Sequence, residues 1–175
     1  MDESNIRLGF ALTGSFCTLR KAVDALSVLA EQGYSLFPIM SETVFSTDTR
    51  FGKCRDFRIE VEGICGRAII STIPQAEPIG PKKLLDALVI APCTGNTLAK
   101  LAQGVNDGCV PLAAKASLRN NCPIIVAPST NESVIIGTNG ENLVKSRASA
   151  FVPFPFLLRD KPKSFKSLKI INERL

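Results

Sequence analysis

The stretch Leu88-Val-Ile-Ala-Pro-Cys-Thr-Gly-Asn-Thr-Leu-Ala-Lys-Leu-Ala-Gln-Gly104, continued by Val105-Asn-Asp-Gly108, decides how the whole chain is read. An apolar run, Ala87 to Ala91, stops at Pro92 and gives way to small polar residues, after which Leu98, Leu101 and Ala102 return at helical spacing. This pattern predicts a strand, a turn and a helix. Thr94, Gly95, Asn96 and Thr97 stand where the first N–H groups of that helix need acceptors, and hydroxyl or amide side chains at a helix start serve as caps. A helix start facing the end of a parallel strand is also a place to hold an anion or the edge of a cofactor. Capping alone would account for one such tetrad, so the rest of the chain has to decide.

The same unit recurs on either side. Ile6 to Leu12 is a compact apolar run ending at Thr13-Gly14-Ser15, and Leu19, Val23, Leu26, Leu29 and Ala30 then mark one face of a helix closed by Gly33. Gly14 can adopt backbone conformations closed to other residues, and Ser15 to Thr18 can offer N–H groups and hydroxyls to a phosphate. This is neither a G-x-G-x-x-G fingerprint nor a Walker loop. Tyr34 to Met40 reads as a second strand and ends at Ser41-Glu-Thr43. Between Phe45 and Arg67 the pattern is mixed; Thr47 to Arg50 reads as a loop, and Asp56 to Cys65, compatible with helix or strand, is assigned to helix. Ala68 to Thr72 is expected as a short strand, and Ile73 to Pro81, with Pro74, Pro78 and Pro81, as an extended loop presenting Gln75 and Glu77. Pro111 to Ser117 predicts a helix carrying Lys115, Cys122 to Ala127 a buried strand closed by Pro128-Ser-Thr-Asn131, residues 137–149 a last helix, and Phe151 to Phe156 an extended edge strand or arm.

Strands alternating with helices, and apolar on both faces, indicate a mostly parallel sheet covered on both sides, a flavodoxin-like or Rossmann-like α/β three-layer sandwich. The polar endings at Thr13 to Ser15, Ser41 to Thr43, Pro92 to Thr97 and Pro128 to Asn131 all fall at strand carboxyl ends, where such sheets gather their ligands. Their coincidence favours a cofactor site over capping alone.

Composition excludes several other classes. The six cysteines form no C-x-x-C pair and the chain has no histidine, which argues against a zinc site and for reduced thiols. Met1 to Asn5 is acidic and unlike a signal peptide, and no apolar run approaches a membrane span, so the expected location is the cytoplasm. Much of the net charge of +5 sits between Arg159 and Arg174. The body therefore lacks the basic stripe with interleaved aromatics that nucleic acid binding requires, and the chain divides into a domain over residues 1–158 and a basic C-terminal tail over residues 159–175.

Pro92-Cys-Thr-Gly-Asn-Thr97, continued by Ala102-Gln-Gly-Val-Asn-Asp107, resembles the Pro-Ala-Ser-Ala-Asn-Thr motif and Ala-x-Gly-x-x-Asp continuation of the flavoprotein family of flavin-containing cysteine decarboxylases and their relatives. Ala76 to Lys82, Ala91 to Thr97, Ala113 to Asn120 and Phe151 to Phe154, in this order and spacing, are similar to the dipicolinate synthase B subunits of that family through nearly the whole chain. The resemblance implies an FMN site with Gly14 and Ser15 at the phosphate, Ser41 supporting it, Thr94 and Thr97 continuing along the phosphate or ribityl chain, Asn96 near the ring, and Ser129 and Thr130 lining the same cofactor.

It further implies a homo-oligomer, trimeric or a multiple, and a partner A subunit that binds a nicotinamide cofactor, NAD(P). Together they would make dipicolinate from a hydroxy-tetrahydrodipicolinate during sporulation. For the dicarboxylate substrate, Lys82, Lys100, Lys115 and Arg119 are candidate cations, Glu77 a candidate proton carrier and Asn131 a further contact; no catalytic residue is assigned. Cysteine decarboxylation is disfavoured. The histidine of that chemistry is missing, and Pro128-Ser-Thr-Asn-Glu-Ser-Val-Ile135 keeps the family's Pro and Asn without its Met and Trp. Ser129-Thr130 likewise stands where flavin prenyltransferases carry an Arg. A non-catalytic flavin-holding or scaffolding role, or a diverged decarboxylase or prenyltransferase, are the alternative readings.

Overall fold

The protein is described here by a computed structural model covering residues 6–129 and the backbone of residues 150–151. In chain order the elements are β1 (Arg7–Leu12), α1 (Phe16–Glu31), β2 (Ser35–Met40), α2 (Glu42–Ser46), α3 (Cys54–Cys65), α4 (Ile73–Ala76), a 3₁₀ turn (Glu77–Ile79), β3 (Ala87–Cys93), α5 (Gly95–Gln103), α6 (Cys109–Arg119), β4 (Ile124–Pro128) and β5 (Ala150–Phe151). The strands form one five-stranded sheet in the order β2-β1-β3-β4-β5. Every pairing in it is parallel, with Leu8 opposite both Leu36 and Ala87, and Leu88 opposite Ile124.

Alternation along each strand feeds two separate cores. Leu8, Phe10 and Leu12 pack with Leu19, Val23 and Leu26 of α1 and Phe57 and Val61 of α3 on one face. Ala11, Leu88, Ile90 and Val126 pack with Leu98 of α5 and Val110, Ala113 and Ala114 of α6 on the other. Both faces are dry, so a polar side chain within a strand would lose water without gaining a partner. Gly9 shows how closely the second face is packed: a Cβ there would lie 2.6 Å from Leu85 Cδ1 and 2.9 Å from Leu88 Cδ1.

Two expectations between β2 and β3 need correction. The expected strand Ala68 to Thr72 reduces to one bridge, Ile70 opposite Ile39, with Ile70 N–H donating to Pro38 O and Met40 N–H to Ile70 O, each at 2.9 Å. Beyond it the N–H groups of Ser71 and Thr72 both turn to Gln75 Oε1, at 2.9 and 3.1 Å, in a capping box that starts α4 instead of continuing the strand. The expected extended loop from Ile73 to Pro81 is mostly helical for the same reason. Pro74 and Pro78 occupy first turns, where a missing N–H removes no intrahelical bond.

Ser41 begins a one-turn helix, α2, and Asp56 to Cys65 lies within helix α3 as assigned. The expected helix over residues 137–149, the arm beyond Phe151 and the boundary between the domain and its basic tail lie outside the described residues. No helix among the described residues is long and apolar enough to cross a membrane.

At the amino end of the sheet, Asp86 receives the Arg7 backbone N–H at 2.8 Å and its guanidinium at 2.7 and 3.0 Å. These bonds hold the Asp86 carboxyl below its ordinary range. A depressed folded-state pKa stabilises the fold above the unfolded carboxylate pKa and ceases to do so as pH falls through the folded value. Both side chains are 41% exposed, so the increment is at most about 1 kcal/mol. Asp86→Asn is expected to lower the urea midpoint by that amount at pH 7, and the difference from the unsubstituted protein is expected to shrink in titrations below pH ~3.9.

Candidate functional site

The carboxyl ends of β2, β1, β3 and β4 lie side by side in that order, so their polar endings fall along one edge of the sheet. The winding reverses here. The chain leaves β1 through α1 on one face of the sheet and β3 through α5 and α6 on the other, which is the switch point at which open α/β sheets form a ligand crevice. A register shift between Ile90 and Cys93 in the β3–β4 pairing inserts one extra residue into β3. Ala91 consequently packs in the α1 core and Cys93 in the opposite one, although two residues apart they would otherwise share a face.

Thr13 closes the end of β1. It is 1% exposed; its Oγ1 donates to Pro92 O at 2.7 Å and accepts the Thr94 N–H at 2.9 Å. Gly14 follows beneath α2, where a Cβ would stand 3.3 Å from Thr43 Cγ2. Ser15 is the N-cap residue of α1, yet makes no side-chain cap, and α1 has no acidic residue in its first turn. Its hydroxyl instead lies 2.8 Å from Ser129 Oγ and 3.0 Å from Thr18 Oγ1, and the last two are 3.0 Å apart. A triangle of hydroxyls therefore joins the start of α1 to the end of β4. Ser129 is held there by its N–H, which donates to Cys93 O at 2.8 Å.

Ser41 contributes from β2. Its N–H donates to Leu12 O at 3.0 Å, while its Oγ is buried with no partner, a donor directed into protein without an acceptor. On β3, Thr94 caps α5 by accepting the Thr97 N–H at 3.2 Å, and its hydroxyl donates to Thr97 Oγ1 at 3.0 Å. Thr97 is 8% exposed and Asn96 is exposed. The same residue thus serves both ends: its hydroxyl caps α5, and its backbone N–H is tied to Thr13 at the end of β1.

Neutral groups dominate the cluster. Among the described residues that form it, Thr13, Ser15, Thr18, Ser41, Thr94, Asn96, Thr97 and Ser129, none ionises near neutral pH. Burial pushes the adjacent Cys93 thiol up to about 12 and that of Cys109 to about 11, so both stay protonated. Cys109 Sγ donates to Met40 O at 2.9 Å and pins the start of α6 to the end of β2, a contact for which no sequence motif gave a sign. Thr18 closes the run Ser15 to Thr18 that the sequence offers as hydroxyl and N–H donors, and three positions after Ser15 its side chain lies one turn along the same helix face.

Other expected contacts lie elsewhere. Glu77 is exposed on the 3₁₀ turn that carries the chain away from the strand ends, and Gly80 O, just beyond, receives Asn120 Nδ2 at the far end of α6 at 2.8 Å. Lys82 is exposed just ahead of the amino end of β3. Within this chain neither joins the hydroxyl cluster. Lys100, bonded to Asp107 at 2.8 Å, borders with Lys115 and Arg119 a separate cavity of about 470 Å³ above Ile124 and Val126 of β4. Thr130 and Asn131 lie outside the described residues.

With this geometry in place, comparison with known proteins gives the lineage. A family model described as Flavoprotein matches residues 1–166. The chain belongs to the flavoprotein family. Within it, the B subunit of dipicolinate synthase from Bacillus subtilis (strain 168) is 41% identical over 151 residues, 85% of this chain and 74% of that protein. The crystal structure of the dipicolinate synthase B subunit from Bacillus halodurans C superposes with a TM-score of 0.73 at 38% identity, covering 87% of this chain and 79% of that one. A dodecameric FMN-dependent UbiX-like decarboxylase from Escherichia coli O157:H7 has a TM-score of 0.66 at 23% identity over 94% of this chain and 88% of its own, which shows the shared flavoprotein fold.

The Thr94 cap is the part of this site whose stability contribution can be read alone. Thr94→Ala removes the acceptor of the Thr97 N–H and is expected to cost about 1 kcal/mol in urea unfolding, whereas Thr94→Ser is expected to retain most of it. Equal losses in the two variants would show that the hydroxyl does not cap α5.

Proposed function

We propose that this chain is the flavin-holding B subunit of a cytoplasmic dipicolinate synthase that works with a nicotinamide-binding A subunit during sporulation. The observation that carries the reading is the hydroxyl triangle of Ser15, Thr18 and Ser129 at an uncapped helix start. A phosphate dianion needs several donors and no neighbouring anion, and rotatable hydroxyls beside free helix N–H groups satisfy both needs. Ser41 Oγ, buried without a partner at the end of the next strand, would back these groups and not touch the phosphate itself. FMN fits this donor set.

Ser15, Thr18 and Ser129, with Gly14 leaving the loop room, would hold the phosphate; Ser41 would support it. Thr94, Asn96 and Thr97 would line the ribityl chain and ring, with Thr130 and Asn131 continuing the wall after Ser129. When bound, the flavin supplies an acceptor or donor for two electrons. The reaction proposed for the assembly is loss of one water from a hydroxy-tetrahydrodipicolinate, followed by transfer of a hydride to the oxidised nicotinamide of the A subunit and release of one proton, which leaves the aromatic pyridine dicarboxylate. This chain's described residues bind, orient and exclude water. Support for the substrate comes from the B-subunit relatives, and a homo-oligomer is proposed with it. The described cluster holds hydroxyls and an amide, with the Cys17 thiol beside Ser15 and no carboxylate or amine among them, which also favours a second reading, a flavin-holding scaffold for a catalytic A subunit.

Reconstitution separates these readings. The purified chain incubated with FMN and desalted is expected to retain visible flavin absorbance, and Ser15→Ala with Ser129→Ala to weaken FMN binding by about tenfold or more. Bound FMN is also expected to slow alkylation of the exposed Cys17, whose Sγ lies 3.9 Å from Ser15 Oγ. Dipicolinate formation by A and B together, and by neither alone, supports the synthase; full activity of A alone overturns a catalytic role for this chain. Undiminished flavin retention in the doubly substituted protein would falsify the phosphate assignment.

A further inference from the structure

We infer that Thr13 is a positioning residue which fixes the two sides of the crevice relative to each other and thereby sets its affinity for the cofactor. The hydroxyl of Thr13 performs two roles from a single atom, donating to Pro92 O at 2.7 Å and accepting the Thr94 N–H at 2.9 Å, while the Thr13 N–H donates to the same Pro92 O at 3.2 Å. Thr94 is the residue that caps α5, so the tie continues to Thr97. On the other side Thr13 O accepts the Ser15 N–H at 2.7 Å, which places the Ser15 hydroxyl beside Thr18 and Ser129. Ser129 in turn donates its N–H to Cys93 O, the residue before Thr94. The contacts form a closed circuit through the ends of β1, β3 and β4, and Thr13 stands where two of its branches meet.

The side chain is buried, with 1% of its surface exposed, so it positions the groups around a ligand and does not touch one. A neutral hydroxyl suits the place because one atom can donate and accept at once, and because burying it costs little when both bonds are made. Valine has nearly the same shape and makes neither bond. It would leave the Thr94 N–H without its acceptor and free the start of α5 to move relative to α1.

The cofactor half of this inference rests on the flavin reading; the tie itself does not. The test uses Thr13→Val and Thr13→Ser in the full chain, with amide hydrogen exchange at Thr94 in the ligand-free protein, the FMN dissociation constant of the folded protein, and the melting temperature. Thr13→Val is expected to speed exchange at Thr94 and to weaken FMN binding, each by about tenfold or more, and Thr13→Ser to bring both back near the unsubstituted values. Unchanged exchange at Thr94 overturns the tie. A lowered melting temperature with an unchanged FMN dissociation constant overturns the positioning role and marks Thr13 as structural. If the unsubstituted chain binds no FMN, the flavin reading falls, and exchange at Thr94 alone decides whether Thr13 fixes the crevice. Should Thr13→Val not fold, Thr13→Cys, which keeps a weaker donor of similar size, is judged by the same criteria.

Discussion

A parallel sheet buried on both faces governs everything else in this chain. Its strands satisfy their N–H and C=O groups on each other, and their side chains enter two dry cores, so polar groups can be placed only where the strands stop. Thr13, Thr97 and Ser117 are the buried polar residues of the described structure, and the first two stand just beyond strand carboxyl ends. At those ends the backbone leaves the ladder and new helices begin, which creates unpaired N–H groups in need of acceptors. Small hydroxyl residues meet that need with little volume and no charge. The chemistry of the site follows from the packing of the sheet.

The order β2-β1-β3 then selects which ends matter most. Because the chain departs from β1 and from β3 on opposite faces, the loop after each diverges and the space between them stays open. An open crevice with loops on two sides needs a bond across its floor, or the two helix starts would move independently. Thr13, Pro92 and Thr94 provide it, and the extra residue in β3 brings the backbone of that strand round to meet them. Ser129 closes the third side through Cys93. The Cys109 thiol does comparable work at β2, where it fastens α6 to Met40 O.

The apolar periodicity made the strands and most helices legible, because burial on two faces leaves runs such as Leu88 to Ala91 with no polar interruption. The polar endings were legible for the complementary reason, and the structure places Ser15, Ser41, Thr94 and Ser129 at the ends of neighbouring strands. Where local chemistry competed with pattern, the pattern misled. Ala68 to Thr72 is rich in β-branched residues, but Thr72 and Gln75 form a capping box that starts a helix one residue later. Pro74 and Pro78 read as stiffeners of an extended loop, although proline at a first helical turn is equally at home and only the neighbouring cap decides between them. Thr13 was visible as one of the polar endings, yet its role depends on Pro92 and Thr94, far along the chain. Glu77 and Lys82 were attractive for their charge, which says nothing about which end of the sheet they occupy.

The neutrality of the cluster bears on what this part of the chain contributes. Lysines gathered around a phosphate would repel one another whenever the ligand was absent, and the loops would have to open to relieve that strain. Three hydroxyls instead bond among themselves, as Ser15, Thr18 and Ser129 do, and can turn their protons outward when an anion arrives. In the proposed phosphate site the hydroxyls are thus organised before binding, which leaves little ordering cost for a ligand to offset. The same neutrality limits its chemistry. Hydroxyls in this setting orient and polarise but do not exchange protons readily near neutral pH, and burial keeps the nearby Cys93 and Cys109 as thiols. In the proposed aromatisation, proton removal accordingly draws on groups other than these hydroxyls, whose proposed part is to hold the cofactor.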